Sequence, residues 1–185
     1  MLNNVLAAFN SGVAALTTSF ESIATVTVGS GGSSSISFSS IATDWTHLQV
    51  RAIMRGSASG IEPAIRFNSD TGNNYARHRL QGNGTSAVAG ADASVSRVAF
   101  LSSIGLPNTT SHFATIVLDI LDYKNTNKYK TLRLLDGVDN NGSGNIELTS
   151  GLWMNTNAIT DITILCDTSS FAQYSHFALY GIKGA

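Results

Sequence analysis

The chain has little of what disulfide-linked and nucleic-acid-binding proteins require. Its one cysteine, Cys166, rules out a disulfide within the chain, and we expect it to be a small buried apolar residue. Only 12% of the residues are charged, and the longest basic cluster is Arg77-His78-Arg79. A nucleic-acid-binding surface needs a clustered basic face, so we expect no nucleic acid as a partner.

Long apolar runs are also missing. No stretch of 18 apolar residues occurs, so no membrane-spanning helix and no membrane partner are predicted. No lysine or arginine precedes the apolar part of the N-terminus, and the first charged residue is Glu21, so the positive start of an export signal is absent. We therefore expect a protein that stays in the cytoplasm until it is assembled.

Motifs of the common enzyme classes are missing as well. Neither GxSxG nor HExxH occurs, and the triplet Asp70-Thr71-Gly72 is followed by Asn73 and Asn74, which favours a turn over a protease loop. Four carboxylates could in principle act in pairs, but nothing in the sequence fixes their separation: Asp119, Asp122, Glu147 and Asp161. The chain is predicted not to be an enzyme.

Metal-ligand spacing is equally weak. The four histidines are scattered without HxH or HxxxH spacing: His47, His78, His112 and His176. The loop 136–142 concentrates oxygen ligands, and Glu147 stands at the twelfth place counted from Asp136, as in a calcium-binding loop. However, Val138 occupies a ligand position and Asn141 stands where that loop needs glycine. We therefore predict a turn there, with no metal and no cofactor.

What the sequence does contain is a series of short strands separated by turn residues. The clearest part is 116–153, where three antiparallel strands are joined by turns at 125–127 and 139–144. We predict that its core residues are Ile116, Leu118, Ile120, Leu132, Leu134, Ile146 and Leu148.

Further strands are predicted on both sides of this meander. They begin near Ser22, Ile36, Trp45, Ala64, Tyr75, Val95, Ile159 and His176. In the strand 45–54, alternation places Leu48, Val50, Ala52 and Met54 in the core. The segment 82–94 is small and polar without periodicity, and it is predicted to be a loop.

About ten short strands without a second helical segment predict an all-β fold. An antiparallel β-sandwich is the expected architecture, and two four-stranded sheets joined by long crossing connections would make it a jelly roll. Residues 21–185 are assigned to this domain. Another sandwich, such as a galectin-like one, remains an alternative, because the sequence pattern does not set the order of the strands.

Residues 1–20 are predicted to form an N-terminal arm or a short helix. Six apolar residues fall on one face at helical spacing: Leu2, Val5, Leu6, Phe9, Val13 and Leu16. A helix this short, weakened by Gly12, needs another surface to be stable. That surface is either the chain's own β-domain or a neighbouring subunit, and these six residues are the candidate assembly contacts.

Several segments resemble a β-domain of structural proteins from tailed bacteriophages. They are DILDYKNTNKYKT, DNNGSG, SGLWMNTNAITDITI, THLQVRAIMRG, RFNSDTGNNY and HFALYGIKGA, within about residues 20–185. The resemblance implies a jelly-roll-like component of the virion and no catalytic residue. The first hypothesis for such a component is a capsid decoration protein, or cement protein, that acts as a homotrimer on the major capsid protein.

The alternative is a receptor-binding module of a phage tail fibre. Exposed aromatic residues could then stack on host-surface glycans, the candidates being Trp45, Tyr75, Tyr123, Tyr129 and Trp153. Aromatic residues in a small β-domain are more often core or subunit contacts. Only about 20 residues precede the β-domain, which leaves no room for the shaft of a fibre and favours the decoration protein.

Overall fold

The computed structural model describes residues 19–58, 60–101, 111–166 and 168–184. Within these ranges the chain forms twelve β-strands and no helix. The strands are β1 (Phe20–Thr27), β2 (Ser35–Phe38), β3 (His47–Met54), β4 (Ala64–Phe67), β5 (Tyr75–Gly82), β6 (Ala87–Val95), β7 (Val98–Ala99), β8 (Ala114–Leu121), β9 (Lys130–Asp139), β10 (Gly144–Trp153), β11 (Ile162–Leu165) and β12 (His176–Ile182). All their pairings are antiparallel, so the all-β prediction is confirmed.

The strands form two sheets with the winding of a jelly roll. The large sheet has the order β1-β12-β3-β8-β9-β10-β5-β6, and the small sheet has the order β2-β11-β4-β7. The first strands therefore pair with the last, β1 with β12 and β2 with β11, and the inner strands follow as β3 with β8 and β4 with β7. A long antiparallel ribbon that alternates between two facing sheets in this way is a jelly roll.

The large sheet is wider than the sequence suggested. Two hairpins, β5–β6 and β9–β10, extend it beyond β8, so the sheets have eight and four strands instead of four each. Both hairpins are insertions in the jelly roll, and the other eight strands keep the order β1-β12-β3-β8 in one sheet and β2-β11-β4-β7 in the other. We call the part formed by β9, β10, β5 and β6 the extension.

The prediction that residues 82–94 form a loop was wrong for their second half. Residues Ala87–Val95 form the edge strand β6, which pairs with β5. Alanine, glycine and serine fill this strand, and most of it is exposed on both faces. Alternation of apolar and polar residues arises only when one face of a strand is buried, so this edge strand lacks the pattern that would have revealed it.

The core lies between the two sheets and follows the predicted faces of β3, β8 and β9. The predicted set on β3 (Leu48, Val50, Ala52 and Met54) is buried, and so are Ile116, Leu118, Ile120, Leu132 and Leu134. Cys166 is buried as expected. Three large aromatic side chains, Phe67, Tyr75 and Trp153, pack together at one end of this core.

The triplet 70–72 is a turn, as predicted. One carboxylate oxygen of Asp70 accepts a hydrogen bond from the Gly72 amide at 2.8 Å, and the other accepts one from Trp153 Nε1 at 2.7 Å. The second turn of the meander is confirmed too, because Asn141 and Gly142 adopt positive φ angles and the Asn140 amide donates to the Ser143 carbonyl oxygen.

Candidate interaction surface

The six predicted assembly residues cannot be placed in the fold. Leu2, Val5, Leu6, Phe9, Val13 and Leu16 lie outside the described residues, which begin at Ser19. Their role therefore stays a prediction. The described chain offers a second, independent place to look for a partner, which is the outward face of the large sheet.

In the part of the extension nearest the β9–β10 turn, the usual polarity of a half-buried sheet is inverted. Asp136 on β9 and Glu147 on β10 are paired across the hairpin, and both point inward with exposed fractions of 2% and 1%. Ile146 and Leu148, which flank Glu147, point outward and are 59% and 51% exposed. Antiparallel sheets that face water on one side normally carry polar residues there.

This finding corrects two of the seven predicted core residues. Ile146 and Leu148 are on the outer face, because Glu147, Thr149, Gly151 and Trp153 occupy the inward positions of β10. A period of two fixes which residues share a face, but it does not say which face is inside. The apolar set was predicted to be inside, but the fold buries the other set.

The outward apolar residues form one continuous patch. Val117 on β8 is paired with Leu135 on β9, Leu135 with Leu148 on β10, and Leu148 with Leu80 on β5. Ile146 lies two residues from Leu148 on the same face. We call Leu80, Val117, Leu135, Ile146 and Leu148 the apolar band. Each of them is at least 39% exposed, and grouped exposure of this kind marks binding surfaces.

The band has clear boundaries on the sheet. Two residues further along the strands, Gln49, Asp119, Arg133 and Ser150 form a polar row in register across four strands. Gln49 Nε2 donates a 2.7 Å hydrogen bond to Asp119, and Arg51 Nε donates one of 2.7 Å to Gln49 Oε1. The outer face is therefore polar and internally hydrogen-bonded on one side of the band.

On its other side the band opens into a cleft of about 640 Å³. The cleft lies between the ends of the β5–β6 and β9–β10 hairpins. It is lined by Gly82, Asn83, Gly84, Phe113, Thr115, Gly137, Val138, Asp139, Gly142, Ser143, Gly144, Asn145 and Ile146. Ile146 belongs to both the cleft and the apolar band, so the two form one concave, mainly uncharged region.

The inward face of the extension carries the charges that the outer face lacks. Arg77 is buried and forms ion pairs with Asp92 at 2.5 Å and with Glu62 at 3.1 Å. Glu147 accepts a hydrogen bond from the Thr149 hydroxyl at 2.9 Å, and its other oxygen lies 3.8 Å from Arg79. The Arg77–Glu62 ion pair links the extension to the segment before β4, and the other ion pairs lie within the extension.

Asp136 has no comparable partner. Among the described residues, neither of its carboxylate oxygens has a hydrogen bond of ordinary geometry. Burial first, and then the nearby Glu147 carboxylate, raise the pKa of Asp136 to about 8, and the Leu101 backbone offsets only part of this rise. Asp136 is therefore mostly protonated at neutral pH.

The candidate metal and catalytic groups are not brought together. Within the described ranges, no group of three His, Cys, Asp or Glu side chains could hold a metal ion. Asp119 belongs to the polar row, Asp122 is paired with Lys128 at the following turn, and Glu147 is buried in the extension. Asp161 directly precedes β11 in the small sheet.

Most of the aromatic candidates for sugar stacking are unavailable to a ligand because they are core residues. Tyr75, Tyr123 and Trp153 are fully buried, as the core interpretation expected. Trp45 is half-buried, and Tyr129 is 51% exposed at the turn before β9. The five therefore do not form a shared stacking platform.

Comparison with known proteins adds no further assignment. Neither the protein-family models, nor the curated proteins, nor the solved structures contain a match to this chain. The part of the chain that the structure describes has no helix that could span a membrane.

The inverted polarity of the extension, with its exposed apolar band, is the strongest functional feature of the described residues. The sequence held one signal for the apolar band, because Val117 and Leu121 are apolar residues on the outward face of β8, which Asp119 interrupts.

Proposed function

We propose that this chain is a non-catalytic structural protein of a tailed bacteriophage particle. In this proposal it is a capsid decoration protein that binds between major capsid proteins and associates with itself as a homotrimer on the virion surface. The observation that carries the proposal is the apolar band, because an exposed apolar surface on a rigid sheet is suited to a protein partner. The assignment to a phage particle rests on the resemblance of the strand and turn segments.

The composition of the surface supports a binding role of this kind. Charged residues are depleted at the centres of protein interfaces, and the apolar band has none. The jelly roll supplies a rigid support for it, since the band crosses four neighbouring strands of one sheet. Each band residue would gain free energy by being covered, at about 25 cal/mol per Å² of apolar area removed from water.

The alternative function is a receptor-binding module of a tail fibre that recognises a host-surface glycan. The observation that favours it is the cleft beside the band, where Asn83, Asn145 and exposed backbone could accept and donate hydrogen bonds. The burial of Tyr75, Tyr123 and Trp153 weighs against it, because aromatic stacking is then limited.

Imaging of purified phage particles that contain this chain distinguishes the two functions. Antibody labelling or electron cryomicroscopy is expected to place the protein over the capsid lattice. Density at the tail end would instead support the fibre module. Absence of the protein from purified particles would contradict both.

Deletion of residues 1–18 should leave the fold intact and strongly reduce incorporation into particles. The deletion retains Ser19, whose carbonyl oxygen accepts a hydrogen bond from the Lys183 amide. The described strands form complete sheets without the deleted residues, so the thermal unfolding midpoint should change by no more than a few degrees. Incorporation is measured by co-purification with particles. A truncated chain that fails to fold, or that still decorates particles normally, would contradict this expectation.

A further inference from the structure

The apolar band is exposed to solvent in the single chain, and the chain contains an uncharged segment with an apolar face that could bind to it. Residues 1–18 carry no charged side chain, and their six apolar residues fall on one face at helical spacing. The five residues of the band likewise carry no charge, and Arg51, which is paired with Val117, borders the band on β3. We propose that residues 1–18 of one copy dock on the apolar band of a neighbouring copy. This inference rests on the self-association in the proposed function and names the surface that mediates it.

The two surfaces agree in length. From Leu2 to Leu16, a helix would span about 21 Å at 1.5 Å per residue. The apolar row from Val117 across Leu135, Leu148 and Leu80 ends at Ala89 on β6. Five strands at a spacing of about 4.8 Å give this row a length of about 19 Å. The full apolar face of the segment can therefore lie along the row.

The position of Ser19 and Phe20 argues for a neighbouring copy as the source of the segment. Phe20 begins β1 at the opposite edge of the large sheet, five strand spacings from Leu148 on β10. Followed across the strand pairings, Phe20 lies in the row of Leu152, which is four residues from Leu148 along β10. Strand geometry places Phe20 about 27 Å from Leu148. Leu16 of the same chain can extend only about 14 Å from Phe20.

Docking within one chain would therefore place the wrong residues on the band. Leu2, Val5 and Leu6 could reach it, but Val13 and Leu16 would lie over the polar row and Arg51. Such a position would cover charged groups with apolar side chains. A segment from a neighbouring copy has no such constraint, and its whole apolar face can be buried.

This exchange also explains how a small closed assembly could form. Each copy would donate one segment and receive one on its own band, which is a head-to-tail interface. Interfaces of this type close into rings when the rotation between copies allows it, and three copies give the proposed homotrimer.

The decisive experiment is disulfide trapping between two differently substituted full-length chains. One chain carries Phe9→Cys, and the other carries Leu148→Cys and a tag that changes its size. Mixing them under mild oxidation should give a disulfide-linked product of the two different chains, at least fivefold more than the control. The control pairs Phe9→Cys with Leu121→Cys, which is 42% exposed on the same face but outside the band. The only native cysteine, Cys166, is buried.

Two results would overturn the proposal. The first is failure to discriminate in the mixing experiment, seen either as equal trapping at Leu121 and Leu148 or as trapping at neither. The other is a purely intrachain disulfide in a chain that carries both Phe9→Cys and Leu148→Cys, which would show docking on the same copy.

The same proposal predicts the assembly state in solution. Light scattering should show a multiple of the 19.4 kDa chain, and Leu148→Asp should weaken association at least tenfold while Leu121→Asp does not. Deleting residues 1–18 should have the same effect as Leu148→Asp, and combining the two should add nothing. Association that survives either change would contradict the proposal. Both measurements use purified protein, so they are independent of where the protein lies on a particle.

Discussion

Replacing Asp136 with asparagine should abolish most of the loss of stability that the native chain is expected to show between pH 5 and pH 9. The Asp136 carboxyl is 2% exposed, and its pKa is raised from 3.8 to about 8 by burial and by Glu147. A folded protein that holds a proton more tightly than its unfolded chain loses stability as that proton dissociates. The asparagine variant has no proton to lose.

The pKa of Asp136 is 3.8 in the unfolded chain and about 8 in the folded chain, and these two values set the pH range over which stability is lost. Below about pH 4 the carboxyl is protonated in both states, and stability is at its maximum for this group. Between about pH 4 and pH 8 the unfolded chain is ionised while the folded chain is still protonated, so the free energy of unfolding falls as pH rises. At about 1.36 kcal/mol per pKa unit, the total loss is about 6 kcal/mol at most.

Urea unfolding of both chains at pH 5, 7 and 9 measures this effect. The variant should resemble the native chain at pH 5 and exceed it by about 2–5 kcal/mol at pH 9. Asp139→Asn is a matched control in the same hairpin, because Asp139 is exposed and its acceptor oxygen for the Asn141 amide is retained. A difference at pH 9 that is the same for both variants would mean that Asp136 is not the group responsible.

The sequence was sufficient for the parts of the fold in which one face of a strand is buried. The strands β3, β8 and β9 alternate clearly because the small sheet covers their inner faces, and the turns contain residues that tolerate positive φ angles. The jelly-roll winding was expected from the class of fold. It could be shown only by pairings between distant parts of the chain, such as β1 with β12 and β2 with β11.

The outer face of the extension could not be predicted because β6 and β10 depart from that rule. The edge strand β6 has no buried face, and β10 buries Glu147 and Thr149 while exposing Ile146 and Leu148. Charged inward residues are tolerated there because Arg77 and Arg79 lie opposite the acids of the same region. Partner geometry of this kind depends on register, which the sequence pattern does not supply. The apolar band was therefore missed, although its residues were on predicted strands.

The second large effect is expected at Leu118, and its contrast with Leu148 tests the assignment of faces. Leu118 is fully buried between the sheets, and replacing it with alanine should cost about 2–5 kcal/mol of unfolding free energy. Leu148→Ala removes the same atoms from the opposite face. At protein concentrations where light scattering shows single chains, it should cost no more than about 0.5 kcal/mol.

The dependence of these losses on protein concentration separates the core from the band. The loss at Leu118 should be the same at every concentration, because its contacts are within one chain. The loss at Leu148 should grow as subunits associate, because a partner that binds only the folded state adds stability by mass action. Urea unfolding at low and high micromolar concentrations measures both. Equal losses at the two sites would mean that the faces of the large sheet are assigned wrongly, whereas a small loss at Leu148 at every concentration would mean that nothing covers the band.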